Sequence, residues 1–323
     1  MTDLVLGVDG GNTKTVALVA RTDGTVVGLG RAGCADVHGA ESPEAALGEI
    51  VAAVDDALRA VPGGNPNVVG AGFSLAGADW PEDFEYLRQR LGQRFPTPAL
   101  VVVNDAIGIL RCGSQTWTGV AVAVGTWAAI GSRNDAGDVF HRGWWPDAMG
   151  GEPIAEAALS AVYRADLGLG PPTTLTARVC EAFGVDSADE LLYVLNRLGE
   201  PPSRLGPRLT PITLDEADGG DAVAERIVLH QAGLIGAAAK LSAERVGLGG
   251  EGSVLVLGGG VLRHPARLLV QAIADAAGAP RVVRTAFEPA VGALLLAFDL
   301  LQVDVRPDEI AAGLTDPGLS ASG

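Results

Sequence analysis

The sequence predicts an α/β protein made of two tandem domains of the same topology with a cleft between them. Three observations support this prediction. The chain has 323 residues, and that length favours about two domains. Segment 5–19 reads as two apolar strands joined by a tight turn. The same pattern, an apolar strand, a Gly-Thr turn and a second apolar strand, returns at 119–132.

The turn of the first hairpin is suited to holding a phosphate. The residues concerned are Asp9, Gly10, Gly11, Asn12, Thr13, Lys14 and Thr15. The glycines let backbone N–H groups approach an anion, and the hydroxyls and the lysine add donors and charge. Asp9 would repel bare phosphates unless a divalent cation lay between them, so a magnesium nucleotide fits best. The alternative is an ordinary Asp-Gly hairpin without a ligand. A Walker loop is excluded, because Thr13 stands where that motif needs glycine before the lysine.

Composition narrows the classes of partner. The formal net charge of -16 and the pI near 4.6 disfavour nucleic acid or an anionic membrane surface as the main partner. No apolar run approaches the ~18 residues needed to cross a bilayer, and the first residues lack a signal-peptide pattern, so we expect a cytoplasmic protein. The scattered cysteines Cys34, Cys112 and Cys180 indicate neither a disulfide framework nor a zinc site.

The rest of the first domain, 1–117, alternates helices and strands. We expect strands at 24–30, 67–75 and 99–103, and helices at 44–60, 81–94 and about 105–111. Ser42 and Pro43 mark the start of the first helix as N-cap and first helical residue.

The second domain, 118–303, repeats the opening hairpin and carries a helical insertion at about 152–246. We expect further strands at 135–140, 254–257 and 281–283, and helices at 152–166, 173–183, 187–198, 221–246, 265–277 and 289–301. The tail, 304–323, is rich in Asp, Pro, Gly and Ser and is expected to pack loosely. A ligand clamped between two such halves is the default expectation for the cleft.

Five segments in this order resemble the motifs of a known superfamily. They are Gly7–Thr15, Asn104–Ala106, Val124–Thr126, Leu257–Val261 and Pro289–Ala293. They resemble motifs of the actin, hexokinase and Hsp70-like ATPases, and within them of the BadF/BadG/BcrA/BcrD ATPase and N-acetylglucosamine kinase group. The resemblance implies two ribonuclease H-like (actin-like ATPase) domains that bind ATP and Mg²⁺. It implies that Gly125, Thr126, Gly258, Gly259 and Gly260 contact the nucleotide, and that Asp9 and Asp105 face the metal, directly or through water.

The resemblance also implies that Asp105 is the catalytic base that takes the proton from the acceptor hydroxyl. The position of Asp105 agrees with this, since a carboxylate at the carboxyl end of a buried strand points into the crevice of an open α/β sheet. The alternative is that Asp105 only caps its short helix.

Sugar contacts are implied by weaker matches. The candidates are Asp36, Gly77, Asp79, Asn104, Trp144, Asp147 and Glu152. Gly150, Gly151 and Glu152 stand where the kinases carry Asp-Glu-Gly-Ser, so the sugar acceptor is less certain than the reaction. Trp144 could lie against a pyranose ring or fill a core position.

We therefore expect a sugar kinase that phosphorylates an amino sugar or related hexose, with a homodimer as a possible assembly. Two alternatives stay open. An ATPase that activates a partner reductase or dehydratase would share an iron–sulfur cluster, which needs cysteine thiolates. A nucleotide-binding regulator would bind ATP without turnover.

Overall fold

The computed structural model describes residues 2–61, 66–198, 205–249, 253–312 and 314. Its strands form two mixed sheets. The strands are β1 (Thr2–Gly10), β2 (Thr15–Arg21), β3 (Val26–Ala32), β4 (Pro66–Leu75), β5 (Ala99–Asn104), β6 (Gly119–Val124), β7 (Ala128–Arg133), β8 (Val139–His141), β9 (Val254–Gly258) and β10 (Arg281–Arg284).

The two sheets have the same topology. The first has the order β3-β2-β1-β4-β5 and the second the order β10-β9-β6-β7-β8. In each, an antiparallel hairpin joins the first two strands, and the first strand also pairs in parallel with the fourth. The internal duplication inferred from the two apolar hairpins is confirmed.

Helices cover both sheets. They are α1 (Pro43–Arg59), α2 (Pro81–Arg94), α3 (Asp105–Gly113), α4 (Gly151–Asp166), α5 (Leu175–Phe183), α6 (Ala188–Leu198), α7 (Gly206–Asp218), α8 (Ala222–Arg245), α9 (Gly260–Arg263), α10 (Leu268–Ala277), α11 (Pro289–Leu300) and α12 (Pro307–Ala312). The predicted start of α1 is confirmed, because the Ala45 N–H donates to Ser42 Oγ at 3.1 Å and Pro43 is the first helical residue.

Three helices were not expected from the sequence: α7, α12 and the four-residue α9. No helix was predicted at α7 because it contains Pro207 and Pro211, and a proline inside a helix removes a backbone donor. The tail prediction was wrong for 304–312, where α12 forms and where Val305 and Ile310 are buried against α11 and the first sheet. Residue 313 and residues 315–323 lie outside the described residues.

We call the first sheet with α1 and α2 the first lobe, and the second sheet with α4 to α10 the second lobe. Two connecting helices exchange sides between the lobes. α3 follows β5 of the first sheet but packs on β6, β7 and β9, whereas α11 follows β10 of the second sheet but packs on β1, β2 and β4. The domain boundaries at 117 and 303 stay a prediction, with α11 packed on the lobe that precedes it in the chain.

The connecting helices touch at two glycines. A Cβ on Gly292 would lie 2.0 Å from the carbonyl oxygen of Gly108. Each glycine is the fourth residue of its helix. The two helices therefore cross about one turn after their first residues. In the described part of the chain, no helix is long and apolar enough to cross a membrane.

Candidate active site between the lobes

Two neighbouring cavities open between the lobes. The aspartate cavity, about 280 Å³, is lined by Asp9, Asp36, Asp79, Asn104 and Asp105 among others. The α7 cavity, about 760 Å³, extends from the same place to α7 of the helical insertion. Residues of both hairpin turns and of α9 line both cavities: Thr13, Lys14, Gly125, Thr126, Gly260 and Arg263. The two turns therefore border one continuous crevice.

Asp9 lies at the carboxyl end of β1 and is 8% exposed. No described residue donates a hydrogen bond to its carboxylate. Burial, followed by the nearby Asp105 and Glu288 carboxylates, raises the pKa of Asp9 to about 8, although Lys14 and Arg263 act in the opposite direction. The charge of Asp9 is thus poorly compensated by the protein alone.

Asp105 is the first residue of α3 and lines the aspartate cavity. The cap is supplied by Asn104, whose Oδ1 accepts from the Ala106 N–H at 3.1 Å, and Asp105 Oδ1 accepts from the same N–H at 2.9 Å. Burial raises the pKa of Asp105 to about 6 against the opposing effect of the Ala106 N–H. Asn104 is the N-cap residue of α3, and Asp105 shares the Ala106 N–H with it. The second carboxylate oxygen of Asp105 accepts no hydrogen bond from the described residues.

Asp79 and Asp36 form a second acidic wall of this cavity. Asn104 Nδ2 donates to Asp79 Oδ1 at 3.1 Å, and Asn12 Nδ2 donates to Asp36 Oδ2 at 3.3 Å. Burial, then Asp105 and Asp36, raise the pKa of Asp79 to about 7. The wall offers carboxylate and amide groups of the kind that bind sugar hydroxyls.

The donor set fits Mg²⁺. Asp9 and Asp105 line the same cavity, and the Asp105 carboxylate raises the pKa of Asp9, so the two charges are close enough to interact. Mg²⁺ commonly takes one or two protein carboxylates, with waters and phosphates as its other ligands. A cation there would supply the compensation that Asp9 lacks.

Lys14 is part of an ion-pair cluster that the sequence did not reveal. Its Nζ lies 3.2 Å from Glu288 Oε1, and Arg263 Nη1 lies 3.1 Å from the same oxygen. Glu288 is buried and precedes the first residue of α11. Its place directly before the Pro289–Ala293 motif was the available signal, but 274 residues separate Glu288 from Lys14, and only the fold shows that they meet.

Several predicted residues do not line either cavity. Thr15 is fully buried and its hydroxyl donates to the Gly33 carbonyl at 2.7 Å. Trp144 is 73% exposed, and Asp147 is exposed as well. Three of the predicted glycines are instead needed for close packing, because a Cβ at each position would lie against a neighbouring residue. The pairs are Gly10 with Leu75 and Ala35, Gly77 with Val37, and Gly258 with Thr285 and Ile109. Gly11, Asn12, Thr13, Lys14, Gly259 and Gly260 do line the aspartate cavity.

Glu152 lines the α7 cavity and does not line the aspartate cavity, where Asp36 and Asp79 lie. It is buried and accepts from the Gly206 N–H at 3.1 Å, while its Oε1 has no hydrogen-bond partner among the described residues. Burial raises the pKa of Glu152. The α4 N–H groups beside it are already used, because Gly151 N donates to Gly125 O at 2.9 Å and Glu152 N to Thr126 O at 3.1 Å. The second turn and the start of α4 therefore brace each other.

The duplicated sheets, the exchanged connecting helices and the cleft define the two-domain actin-like ATPase fold. The chain belongs to the BadF/BadG/BcrA/BcrD ATPase family, whose model matches residues 6–297.

Individual relatives cover nearly the whole chain. An N-acetyl-D-glucosamine kinase of Dictyostelium discoideum is 23% identical over 92% of this chain and 98% of its own length. The structure of a putative N-acetylglucosamine kinase from Chromobacterium violaceum matches with a TM-score of 0.67 at 20% identity, over 91% of this chain and 98% of that one. A ROK family glucokinase from Streptomyces griseus, in complex with glucose and AMPPNP, matches with a TM-score of 0.60 at 18% identity, over 93% and 99%.

Proposed function

We propose that the protein is an ATP-dependent sugar kinase that transfers the γ-phosphate of ATP to a hydroxyl of an amino sugar or related hexose. The observation that carries the proposal is that both hairpin turns and Asp105 border one crevice between the lobes. The relatives named as an N-acetyl-D-glucosamine kinase and as a glucokinase with bound glucose and AMPPNP support both the reaction and its two substrates.

The two cavities divide the substrates between them. The larger α7 cavity has room for the nucleotide, and the smaller aspartate cavity has the polar wall of Asp36, Asp79 and Asn104 for the sugar. The γ-phosphate would then lie at the shared border, near Lys14 and Thr126. Two substrates placed in this way meet end to end, which suits an in-line displacement.

Asp105 is proposed as the general base. It takes the proton from the acceptor hydroxyl while that oxygen attacks the γ-phosphorus, and the bond from the γ-phosphorus to the bridging oxygen breaks as ADP leaves. Lys14 and Arg263 lie where they can donate to the phosphate oxygens. Asp9 and Asp105 are the residues that would hold Mg²⁺, which when bound neutralises charge on the phosphates.

The experiment is a coupled ADP-release screen with Mg-ATP over hexoses, amino sugars and N-acetylated sugars, with the product identified by mass spectrometry. We expect sugar-dependent ADP and a sugar phosphate for at least one acceptor. Tight ATP binding without ADP release from any sugar would contradict the kinase proposal and favour a regulator.

The partner-activating ATPase is tested separately. Cys112 and Cys180 are buried, and a bridging cluster needs accessible thiolates. We expect no stoichiometric iron in anaerobically purified protein, and finding it would favour that alternative.

A further inference from the structure

Glu288 occupies a singular place where the two lobes meet. It is the residue before α11, it is 2% exposed, and it accepts from cations on two other elements. Lys14 Nζ approaches both of its oxygens, at 3.2 and 3.3 Å, and Arg263 Nη1 approaches Oε1 at 3.1 Å. A buried carboxylate is costly unless it is paired in this way.

The two cations come from opposite sides of the cleft. Lys14 follows the first turn and belongs to the first lobe, whereas Arg263 ends α9, directly after β9 of the second lobe. Glu288 itself begins the helix that packs on the first sheet. The pair of Glu288 with Arg263 therefore joins the second lobe to a helix anchored on the first lobe.

Both cations keep capacity for a further anion. Lys14 and Arg263 line both cavities, and the side chain of Lys14 is 48% exposed. The Nε and Nη2 groups of Arg263 donate to no described residue. Glu288 lines the α7 cavity beside both cations but is only 2% exposed, and its carboxylate is occupied by the pairs with Lys14 and Arg263.

The first lobe has a related arrangement with a different outcome. Asn104 precedes α3 as Glu288 precedes α11, and each helix has its contact glycine at its fourth residue. On the first side the neighbouring carboxylate, Asp105, forms no ion pair with any residue that the structure describes. On the second side the carboxylate of Glu288 pairs with two cations, Lys14 and Arg263.

We propose that Glu288 is a positioning residue that holds one cation from each lobe at the border of the two cavities, so that the phosphates of a nucleotide meet both cations only when the lobes are closed. The inference rests on the proposed nucleotide site. It assigns no contact between Glu288 and the substrates: the residue acts through Lys14 and Arg263.

The test is the affinity of Glu288→Gln for a non-hydrolysable ATP analogue with Mg²⁺, measured by titration calorimetry, together with the KM for ATP and kcat. We expect Kd and KM for the nucleotide to rise about 10-fold or more, the loss expected for misplaced charged donors, with a smaller change in kcat. Small-angle scattering should show less compaction on adding the nucleotide than in the wild type.

Asp299→Asn is the matched control. Asp299 lies on the same helix and pairs with the buried Arg111 at 2.8 Å, at the end remote from the cavities. This variant loses an ion pair of α11 as well, and we expect its nucleotide Kd to stay within about 2-fold of wild type. A purely structural role for Glu288 would make the two variants alike.

A second variant tests the same ion pair in case Glu288→Gln does not fold. Arg263→Gln removes the pair between the lobes from the partly exposed side and should raise the nucleotide Kd by a similar factor. In the double variant with Glu288→Gln, the two losses should be clearly less than multiplicative, because both remove the same arrangement.

Two results would overturn the inference: a folded Glu288→Gln protein with a nucleotide Kd within about 2-fold of wild type, or fully multiplicative losses in the double variant. The titration needs no turnover. If no sugar releases ADP, the kinase proposal fails while the calorimetry still decides the role of Glu288.

Discussion

The two lobes share a sheet topology but differ in the chemistry of their turns. In the first lobe the turn between β1 and β2 is flanked by Asp9 and Lys14, and in the second the turn between β6 and β7 consists of Gly125, Thr126 and Trp127 without a charge. Both turns close on a backbone bond, Gly11 N to Lys14 O at 2.9 Å and Gly125 N to Trp127 O at 3.2 Å. The backbone cradle recurs in both turns, but only the first turn has charged side chains beside it.

The largest expected effect comes from replacing Asp105, the proposed base. Asp105→Asn should lower kcat by at least ~10²-fold because the acceptor hydroxyl loses its base. Because Asn keeps one oxygen that can face Mg²⁺, the loss in kcat should be much larger than any rise in the Kd for Mg-ATP, the reverse of the expectation for Glu288→Gln. Steady-state kinetics with the sugar found in the screen measure both values, and near wild-type turnover would contradict the assignment.

The same carboxylate sets the acid limb of the pH profile. The pKa of Asp105 is raised to about 6, and the protonated carboxyl cannot accept the hydroxyl proton. That value is for the metal-free protein, and Mg²⁺ bound beside Asp105 would lower it. At saturating Mg-ATP, the value of kcat/KM for the sugar should therefore be retained above pH 6 and fall at a lower pH. A profile without an acid limb would argue against Asp105 as the base.

The crossing of the connecting helices is expected to matter next. Gly292→Ala would place a Cβ 2.0 Å from the Gly108 carbonyl oxygen and should destabilise the protein by about 1–3 kcal/mol through overpacking. The change is measured by urea unfolding. The control is Gly92→Ala in α2, where an added Cβ meets nothing within 4 Å and where we expect a gain of about 0.5–1 kcal/mol. Equal stabilities for the two variants would show that the lobes tolerate a wider crossing.

The corresponding strands β1 and β6 also differ at their carboxyl ends. β1 carries the charged Asp9 there, whereas β6 ends in the apolar residues Ala123 and Val124. The pKa of Asp9 is raised from 3.8 to about 8, so its contribution to stability is full below pH 3.8 and is lost as the pH rises through 8. Asp9→Asn should therefore stabilise the metal-free protein at pH 8, by at most about 5 kcal/mol. Mg-ATP should raise the Tm of the wild type but not of the variant.

Asp55→Asn serves as the control for Asp9→Asn, since Asp55 pairs with Arg94 on the surface and should change stability little. A metal-free Asp9→Asn protein that is less stable than wild type would contradict the electrostatic explanation.

The smallest effect concerns the tryptophans of the second lobe. Trp127 lines the aspartate cavity and Trp144 does not. Trp127→Ala should raise the KM for the sugar by roughly 3- to 10-fold, the loss of one ring contact, whereas Trp144→Ala should stay within about 2-fold. The reverse order would support the role that the sequence pattern gave to Trp144.

The sequence predicted the elements that have strong local signals. The hairpins, the Ser42 and Pro43 start of α1 and the duplication follow from apolar patterning and capping, which act over a few residues. The whole of α7 was missed because its prolines disfavour a helix in the local pattern, and the surrounding core overrides that preference.

The candidate site was predicted less evenly. Asp9, Lys14, Asp79 and Asp105 line one cavity, because each lies at the carboxyl end of a strand of the first sheet or in the loop that follows it. Glu152 lies beside the larger cavity instead, and Glu288 and Arg263 were missed. Their roles depend on how two distant lobes meet, which no local pattern records.

The placement of α11 has a consequence for how the chain folds as it is synthesised. Val5, Val16 and Leu18, near the beginning of the chain, are buried against Val291, Leu294 and Phe298, near its end. Until α11 has been synthesised, one apolar face of the first sheet has no helix to cover it. The first lobe therefore completes its core only after the strands of the second lobe have been made.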